Sequence, residues 1–466
     1  MTFDVAVVGS GPGGAVTARE CALRGLKVVV LEEGDWVEPA EVAPYSLDQM
    51  RRQYRHRGLT VALGRPPVAY TEASCVGGGS EVNSGLYHRP DAEVLDEWRR
   101  TYAIDDLDLA SLAPWFDTVE QRLSISSPGP MNAASDVLRR GAEALGWDGL
   151  DVPRWVRRES AEPGTPQVKQ TMLRTYLRDA VAAGAEVRSG VRAERLQLER
   201  GAVTGVVTDR GVVSATHVVV CGGAIQSSAL LLRSGIRHNV GTGLSMHPTV
   251  KVLAQLDDEI NDPADLATYQ VKEFGPAMTL GGSAGRPGMV ALGLSGTWER
   301  DRDLASEWRR QSVYYASIRS QGTGRVRVVP SLGDPVVTYR LTRRDIAALR
   351  SGLGRLMLLL DAAGARLQVP SYVGAPRVSG PGQIPEGVAA MNRSNASVMS
   401  VHLCGTLPMG EDRRRSATDS FGRVHDVANL SVNDASLLPN APGVNPQGTL
   451  MAVAHRNVAR LLGGRE

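Results

Sequence analysis

Six residues near the start of the chain have the type and spacing to hold a dinucleotide. Gly9-Ser10-Gly11-Pro12-Gly13-Gly14 reads G-x-G-x-x-G. Glycines let a backbone turn tightly and approach a pyrophosphate closely. A helix opening at this loop offers free N–H groups and the positive end of its dipole to that anion. Glu32 follows about 20 residues later, where an acid accepts hydrogen bonds from a ribose diol. An ordinary packed turn would also tolerate these glycines, but the acid in register favours a nucleotide. NAD and FAD both use such a loop, and the loop does not separate them.

Other reactive residue types give less. Cys21, Cys75, Cys221 and Cys404 are scattered, with no pair at metal-ligand spacing. Cys404 and Cys75 read as small packed residues rather than nucleophiles. No metal site and no haem or iron–sulfur ligand set is expected. Of the histidines, His88, His425 and His455 have no partner visible in sequence, so solvated or capping roles are expected. Lysine occurs only at Lys27, Lys169, Lys251 and Lys272, which reads as compositional bias.

The elements around the loop must position it. Residues 4–8 form an apolar, β-branched run expected to be a buried parallel strand. Ala15–Arg24 is expected as a helix with Gly25 at its end, and Lys27–Leu31 as a second buried strand. Residues 35–75 read as irregular, and 125–168 as loop-rich. Asp91–Arg122 reads as helical, with Pro114 opening a new helix. Met172–Ala183 is expected as a helix, followed by strands near Glu186–Ser189, Val203–Thr208, Val212–Ser214 and His217–Cys221, then a helix from Gly222–Gly223. Beyond residue 248, strand-like stretches at Val250–Gln255, Ser312–Ile318, Val326–Val329 and Val336–Tyr339 predict a mostly antiparallel sheet. Asp345–Ala362 reads as a strong helix.

Composition sets the bounds. A chain of 466 residues implies two or three domains, or a discontinuous pair. A formal net charge of +2, spread over scattered arginines, favours neither nucleic acid nor an acidic membrane surface. No apolar run reaches the ~20 residues of a membrane span. The first residues lead directly into a strand, leaving no room for a signal sequence. A soluble, cytoplasmic protein is expected.

Several further segments resemble the glucose–methanol–choline (GMC) family of FAD-dependent oxidoreductases. Cys75 through Asn83 resembles its G-G-S-x-x-N loop, and Val220–Ala224 with Leu230–Ile236 its second signature. His402-Leu403-Cys404-Gly405-Thr406-Leu407-Pro408-Met409-Gly410 resembles H-x-x-G-T-x-x-M-G. Asp434 and Asn445-Pro446-Gln447-Gly448-Thr449 resemble the C-terminal flavin-binding segment. The likeness covers nearly the whole chain and is weakest at 240–395.

The resemblance implies an α/β fold: a discontinuous Rossmann-like FAD-binding domain plus an α+β substrate domain with a mostly antiparallel sheet. The expected division is 1–247 for the first part of the FAD domain (with substrate-side insertions near 40–75 and 125–168), 248–396 for the substrate domain, and 397–466 for the second part. It further implies a dinucleotide site at Gly9, Gly11, Pro12, Gly13, Gly14, Glu32 and Glu33, with Val191 meeting the adenine through its backbone. Gly78, Gly79, Ser80 and Asn83 would line the flavin or its phosphates. Gly222, Asp434 and Ala435 would meet the ribityl–phosphate region, and Asn445, Pro446 and Thr449 the pyrimidine end.

The implied activity is oxidation of an alcohol, with His402 taking the hydroxyl proton and the hydride passing to flavin N5. Asn445, 43 residues later, would hold the oxygen as charge develops and cannot itself be a base. His247, in Met246-His247-Pro248, is expected to be structural. Val82 stands where some members carry a flavin-tethering histidine, so the FAD is expected to be non-covalent. The partners implied are a small alcohol and an electron acceptor that could be dioxygen, a quinone or a redox protein. A lyase or a biosynthetic flavoenzyme without net alcohol oxidation is the alternative; loss of catalysis is disfavoured by the retained His402 and Asn445.

Overall fold

The computed structural model describes residues 2–126, 131–158, 167–262 and 266–463. Strand Phe3–Val8 is almost wholly buried, and helix Pro12–Leu23 carries the chain to strand Val28–Leu31. Parallel neighbours build outward from this unit. Val5–Val8 pairs with His217–Val220 on one side and Val28–Leu31 on the other, and Val29–Leu31 pairs with Glu186–Arg188. Leu430–Val432 adds in parallel beside Val218–Val220, so a C-terminal segment completes the sheet begun at the N-terminus. Buried on both faces, these strands are continuous valine-rich runs rather than alternating ones.

A second, nine-stranded sheet is almost entirely antiparallel. Thr249–Gln255 pairs with Gln311–Ile318, which pairs with Met278–Gly282. One face packs on helix Arg343–Ala362, where Leu349, Leu353, Leu356, Met357 and Leu360 are buried against Val250, Val252, Ala316 and Leu280. Thr342 and Asp345 start that helix with a reciprocal capping box. No helix among the described residues is long and apolar enough to cross a membrane.

Several expectations are corrected. Residues 35–75 are not irregular throughout: helix Leu47–Gln53 starts on the Ser46 side chain, and Thr60–Ala62 and Val68–Tyr70 join the nine-stranded sheet. The described part of 125–168 contains helix Ala133–Leu145, capped by Asn132 and buried through Ala134, Val137, Leu138, Gly141 and Ala142; residues 127–130 and 159–166 lie outside the described residues. The spacing of those buried residues is helical. Pro114 lies inside helix Leu109–Leu123 rather than opening one. The helix begins at Asp108, whose carboxylate accepts the Ser111 N–H at 2.8 Å, and its Leu112–Phe116–Val119–Leu123 stripe is buried. The helix expected over Met172–Ala183 spans only Tyr176–Ala182, because Thr175, at φ −126° and ψ −95°, breaks the helical backbone; the Met172 and Leu173 N–H groups donate to Ser80 Oγ and Glu81 Oε1. Val212–Ser214 and His217–Cys221 belong to one strand, Gly211–Val220, and the strand expected at Val326–Val329 is Thr323–Arg327.

Candidate active site

The site begins at the glycine loop. Pro12 is the first residue of its helix, and Gly11 precedes it with no side chain capping the first turn, so those N–H groups remain available to a ligand anion. Gly13 lies against the C-terminal segment: a Cβ there would sit 1.7 Å from the Asn433 carbonyl oxygen. Gly78, at φ +56°, faces Gly11 so closely that a Cβ would stand 2.7 Å from its Cα. Three backbone segments, at 9–14, 77–80 and 433–435, thus converge around one helix N-terminus. That leaves a cradle open to backbone approach and closed to side chains, of the kind that could hold a pyrophosphate.

Side chains brace this cradle from behind. The Glu32 carboxylate accepts from the Ser10 N–H at 2.9 Å, the Ser10 hydroxyl at 2.6 Å and the Gly34 N–H at 2.9 Å; burial pushes its carboxyl up. Ser10 Oγ also accepts from Gly77 N at 3.0 Å, linking the two glycine turns. The Val191 N–H donates to the Glu32 carbonyl at 2.9 Å, which sets Val191 beside the same strand end. Glu33 turns elsewhere. It pairs with Arg55 at 2.9 Å, and although burial opposes this, Arg55, Arg192 and Arg233 hold its carboxyl below the usual range.

Asp434 is saturated: its carboxylate accepts from Gly223 N and Ser436 N, each at 2.8 Å, and from the Ser227 and Ser436 hydroxyls. It tethers helix Gly223–Arg233, which Gly222 precedes, to the turn starting at Ala435, leaving only its backbone for a ligand. Ser80 is likewise fully buried, donating to Gly77 O and accepting from Met172 N, while Gly79 faces open space. Asn83 Nδ2 donates to Gln447 Oε1 at 2.7 Å, tying this turn to the start of helix Gln447–Gly463. Pro446 opens that helix, and the buried Thr449 hydroxyl has no partner.

At the other end of the cleft, His402 and Asn445 come together. Asn445 Nδ2 lies 3.4 Å from His402 Nε2, and both residues are half-buried. His247, expected to be structural, is the direct partner of the first: its Nδ1 lies 2.8 Å from His402 Nδ1, with the rings nearly perpendicular. The Gly443 N–H donates to His247 Nε2 at 2.9 Å. Ser400 holds both backbones, accepting from His247 N and His402 N and donating to the His402 carbonyl. Burial pushes the His402 imidazole down to about 4, and His247 well below its ordinary value.

His88 is neither solvated nor a cap. It is buried, both ring nitrogens lack a partner, and burial, with Lys272 and His402 nearby, pushes it down to about 2. It lines a cavity of about 780 Å³ with Lys272, Thr279, Pro276, Gly443 and Val444, next to Asn445. His455 is also buried, bonded to Tyr176 at 3.0 Å. Cys404 is buried and pushed up to about 12 by burial, which leaves it inert as a nucleophile. Among the described residues, no group of three or more His, Cys, Asp or Glu is placed to hold a metal ion. Sequence reasoning missed the places of His247, Ser400 and His88: it reads the first as structural and the last as solvated or capping, and Ser400 carries no local signal.

This geometry has counterparts. Models of the GMC oxidoreductase family match residues 50–249 and 320–454, and a model of NAD(P)-binding Rossmann-like domains matches 7–37. The chain is 37% identical to an uncharacterized GMC-type oxidoreductase of Sinorhizobium fredii, over 98% of this chain and 94% of that one. It is 27% identical to a long-chain-alcohol oxidase of Arabidopsis thaliana, over 97% of this chain and 67% of that one. The crystal structure of pyridoxine 4-oxidase from Mesorbium loti shares the fold over the full length of both chains, with a TM-score of 0.74 at 18% identity.

Proposed function

The chain belongs to the GMC oxidoreductase family, and from that premise we propose that it oxidises an alcohol carbon, with His402 taking the hydroxyl proton and Asn445 holding the oxygen. FAD is the cofactor, and when bound it supplies the acceptor for the hydride leaving that carbon. The cradle fits such a group: an uncapped helix N-terminus is met by close-approach glycines from two turns. Gly9, Gly11, Gly14, Gly78 and the backbone at Asp434 would hold the phosphates, Glu32 and Val191 the adenosine, and Asn445, Pro446 and Thr449 the flavin ring. Val82 offers no tethering nitrogen, so the flavin should leave in denaturant; flavin remaining on the precipitated protein would contradict this.

The observation that carries the reading is the His402–Asn445 pair, one titrating and one non-titrating group 3.4 Å apart at the same opening. An alcohol oxygen between them would meet a base and a donor. Neutral His402 suits the base role, and burial keeps it neutral down to about pH 4.

The tautomer carries a cost. With Gly443 N–H on His247 Nε2, the His247 proton belongs on Nδ1, where it donates to His402 Nδ1. His402 then bears its own proton on Nε2, where it faces the Asn445 amide donor at 3.4 Å, so the Asn445 and Gly443 donors ask for opposite tautomers of the histidine pair. To accept at Nε2 His402 must instead donate from Nδ1, which leaves the Gly443 N–H without its acceptor, at a cost of about 1–3 kcal/mol. A general base contributes ~10²–10⁴ in rate, which is of comparable or larger size. His247 therefore positions His402 and sets how readily it acts.

The test is an anaerobic absorption spectrum of the FAD-loaded protein during addition of a panel of alcohols. Bleaching of the flavin bands by one class of alcohol is expected. Turnover of a substrate with flavin that never bleaches would move the protein to lyase chemistry.

A further inference from the structure

The nine-stranded sheet has two unlike faces. Val250, Val252, Ala316 and Leu280 bury one against helix Arg343–Ala362. The other is polar at one end. Thr249 and Lys251 lie opposite Ser317 and Tyr315 in register. The Tyr315 hydroxyl accepts from Gln270 Nε2 at 2.9 Å, and Gln270 Oε1 accepts from Lys272 Nζ at 2.8 Å. Farther along the same face, Leu253 and Val313 are covered by apolar residues of Pro287–Leu294. The polar end is the one joined to the catalytic pair: Thr249 Oγ1 donates to the His247 carbonyl at 3.0 Å and lies 3.1 Å from the Ser317 hydroxyl, and Lys272 lines the cavity beside Asn445.

This sheet face carries two ammonium groups with no ion-pair partner among the described residues. Lys272 bonds only the neutral Gln270, and Asp91 acts on it from the exposed cavity mouth. Lys251 has neither an ion-pair partner nor a hydrogen-bond acceptor among the described residues. Burial pushes both down to about 8, so both remain charged at neutral pH. Of the other charged cavity residues, Arg89 and Glu120 pair with each other, and Asp91 and Glu93 stand exposed at the mouth. A third lysine, Lys169, lies under the 77–83 turn on the Glu81 and Asn83 carbonyls. Lys272 thus lines the cavity, and Lys169 braces the turn on the cofactor side. Uncompensated buried charge is costly and marks a place for an opposite charge.

We propose that the substrate is an anionic, polar alcohol whose carboxylate is held by Lys272 in the cavity while its hydroxyl meets His402 and Asn445. This substrate class rests on the alcohol-oxidation reading above, but the anion site is testable without turnover.

The experiment titrates FAD-loaded protein with butyrate and with butyramide by calorimetry. Butyrate is expected to bind at least tenfold more tightly than its neutral isostere. Lys272→Met should weaken butyrate ~10- to 100-fold, the scale of a charge-assisted hydrogen bond, and Lys272→Arg should restore part of the loss. Flavin content and circular dichroism identify any variant that misfolds, for which the arginine variant serves instead. Equal binding of the two ligands, or equal weakening of both by the substitutions, would overturn the proposal. Anaerobic reduction by 4-hydroxybutyrate against 1-butanol then separates the two levels. Preference for the acid, lost in Lys272→Met, supports both. Tight butyrate binding with no reduction by any alcohol leaves the anion site standing and removes alcohol oxidation.

Discussion

The two sides of the cleft are built by different means. The cofactor side is made of backbone: three turns, from residues 9–14, 77–80 and 433–435, approach one another so closely that side chains are excluded. The substrate side is made of side chains projected from one face of an antiparallel sheet, and its polar groups come from strands far apart in sequence. Backbone recognition demands glycines at fixed local spacing, which a single sequence displays. Side-chain recognition across a sheet depends on register and on which face looks inward, and neither is local. The first side is therefore set by local spacing, and the second by the register of strands far apart in the chain.

Substitutions should separate the two sides. The largest effect is expected from Gly13→Ala. Its Cβ would collide with the Asn433 carbonyl at 1.7 Å, so the purified protein should carry almost no flavin. Full flavin content in that variant would break the picture of a backbone cradle. On the other side, His247→Ala should keep its flavin but slow flavin reduction ~10- to 100-fold, the usual cost of losing a group that orients a reactive residue. It should also raise the acid limb of the reduction rate from about pH 4 toward 6.5, because water admitted next to His402 relieves its burial. A purely structural His247 would lower stability without moving that limb.

The smallest effect concerns pH and stability. His402 and His455 are both held near 4 by burial, against about 6.5 unfolded. Between these values the unfolded chain binds more protons, so stability falls as pH is lowered from 6.5 to 4 and is unaffected by these groups above 6.5. Denaturant midpoints across that window should show the decline, and a flat profile would mean that the histidines are solvated.

Much of the cofactor side was legible. The Gly9–Gly14 loop, Glu32, and the order of strands about it follow from local pattern. His402 and Asn445 followed from motif resemblance, and the structure brings them within 3.4 Å. What stayed hidden was long-range. Nothing near His247 in sequence signals that its ring meets His402 across 155 residues, nor that His88 is buried without partners. Asp434 and Ser80 were legible as positions but not as side chains already consumed by internal hydrogen bonds. The lysines were visible as a count, and only the fold shows that Lys272 lines the cavity beside Asn445. Pro114 misled because a capped, amphipathic helix absorbs one proline when its apolar stripe is buried.

The most direct test of the central claim is rapid anaerobic reduction of the bound flavin by the best alcohol, comparing the parent protein with His402→Ala at equal flavin content. The account predicts that the limiting reduction rate falls ~10²–10⁴-fold while FAD stays bound. Reduction at an unchanged rate would remove His402 from the chemistry and leave the site without its base.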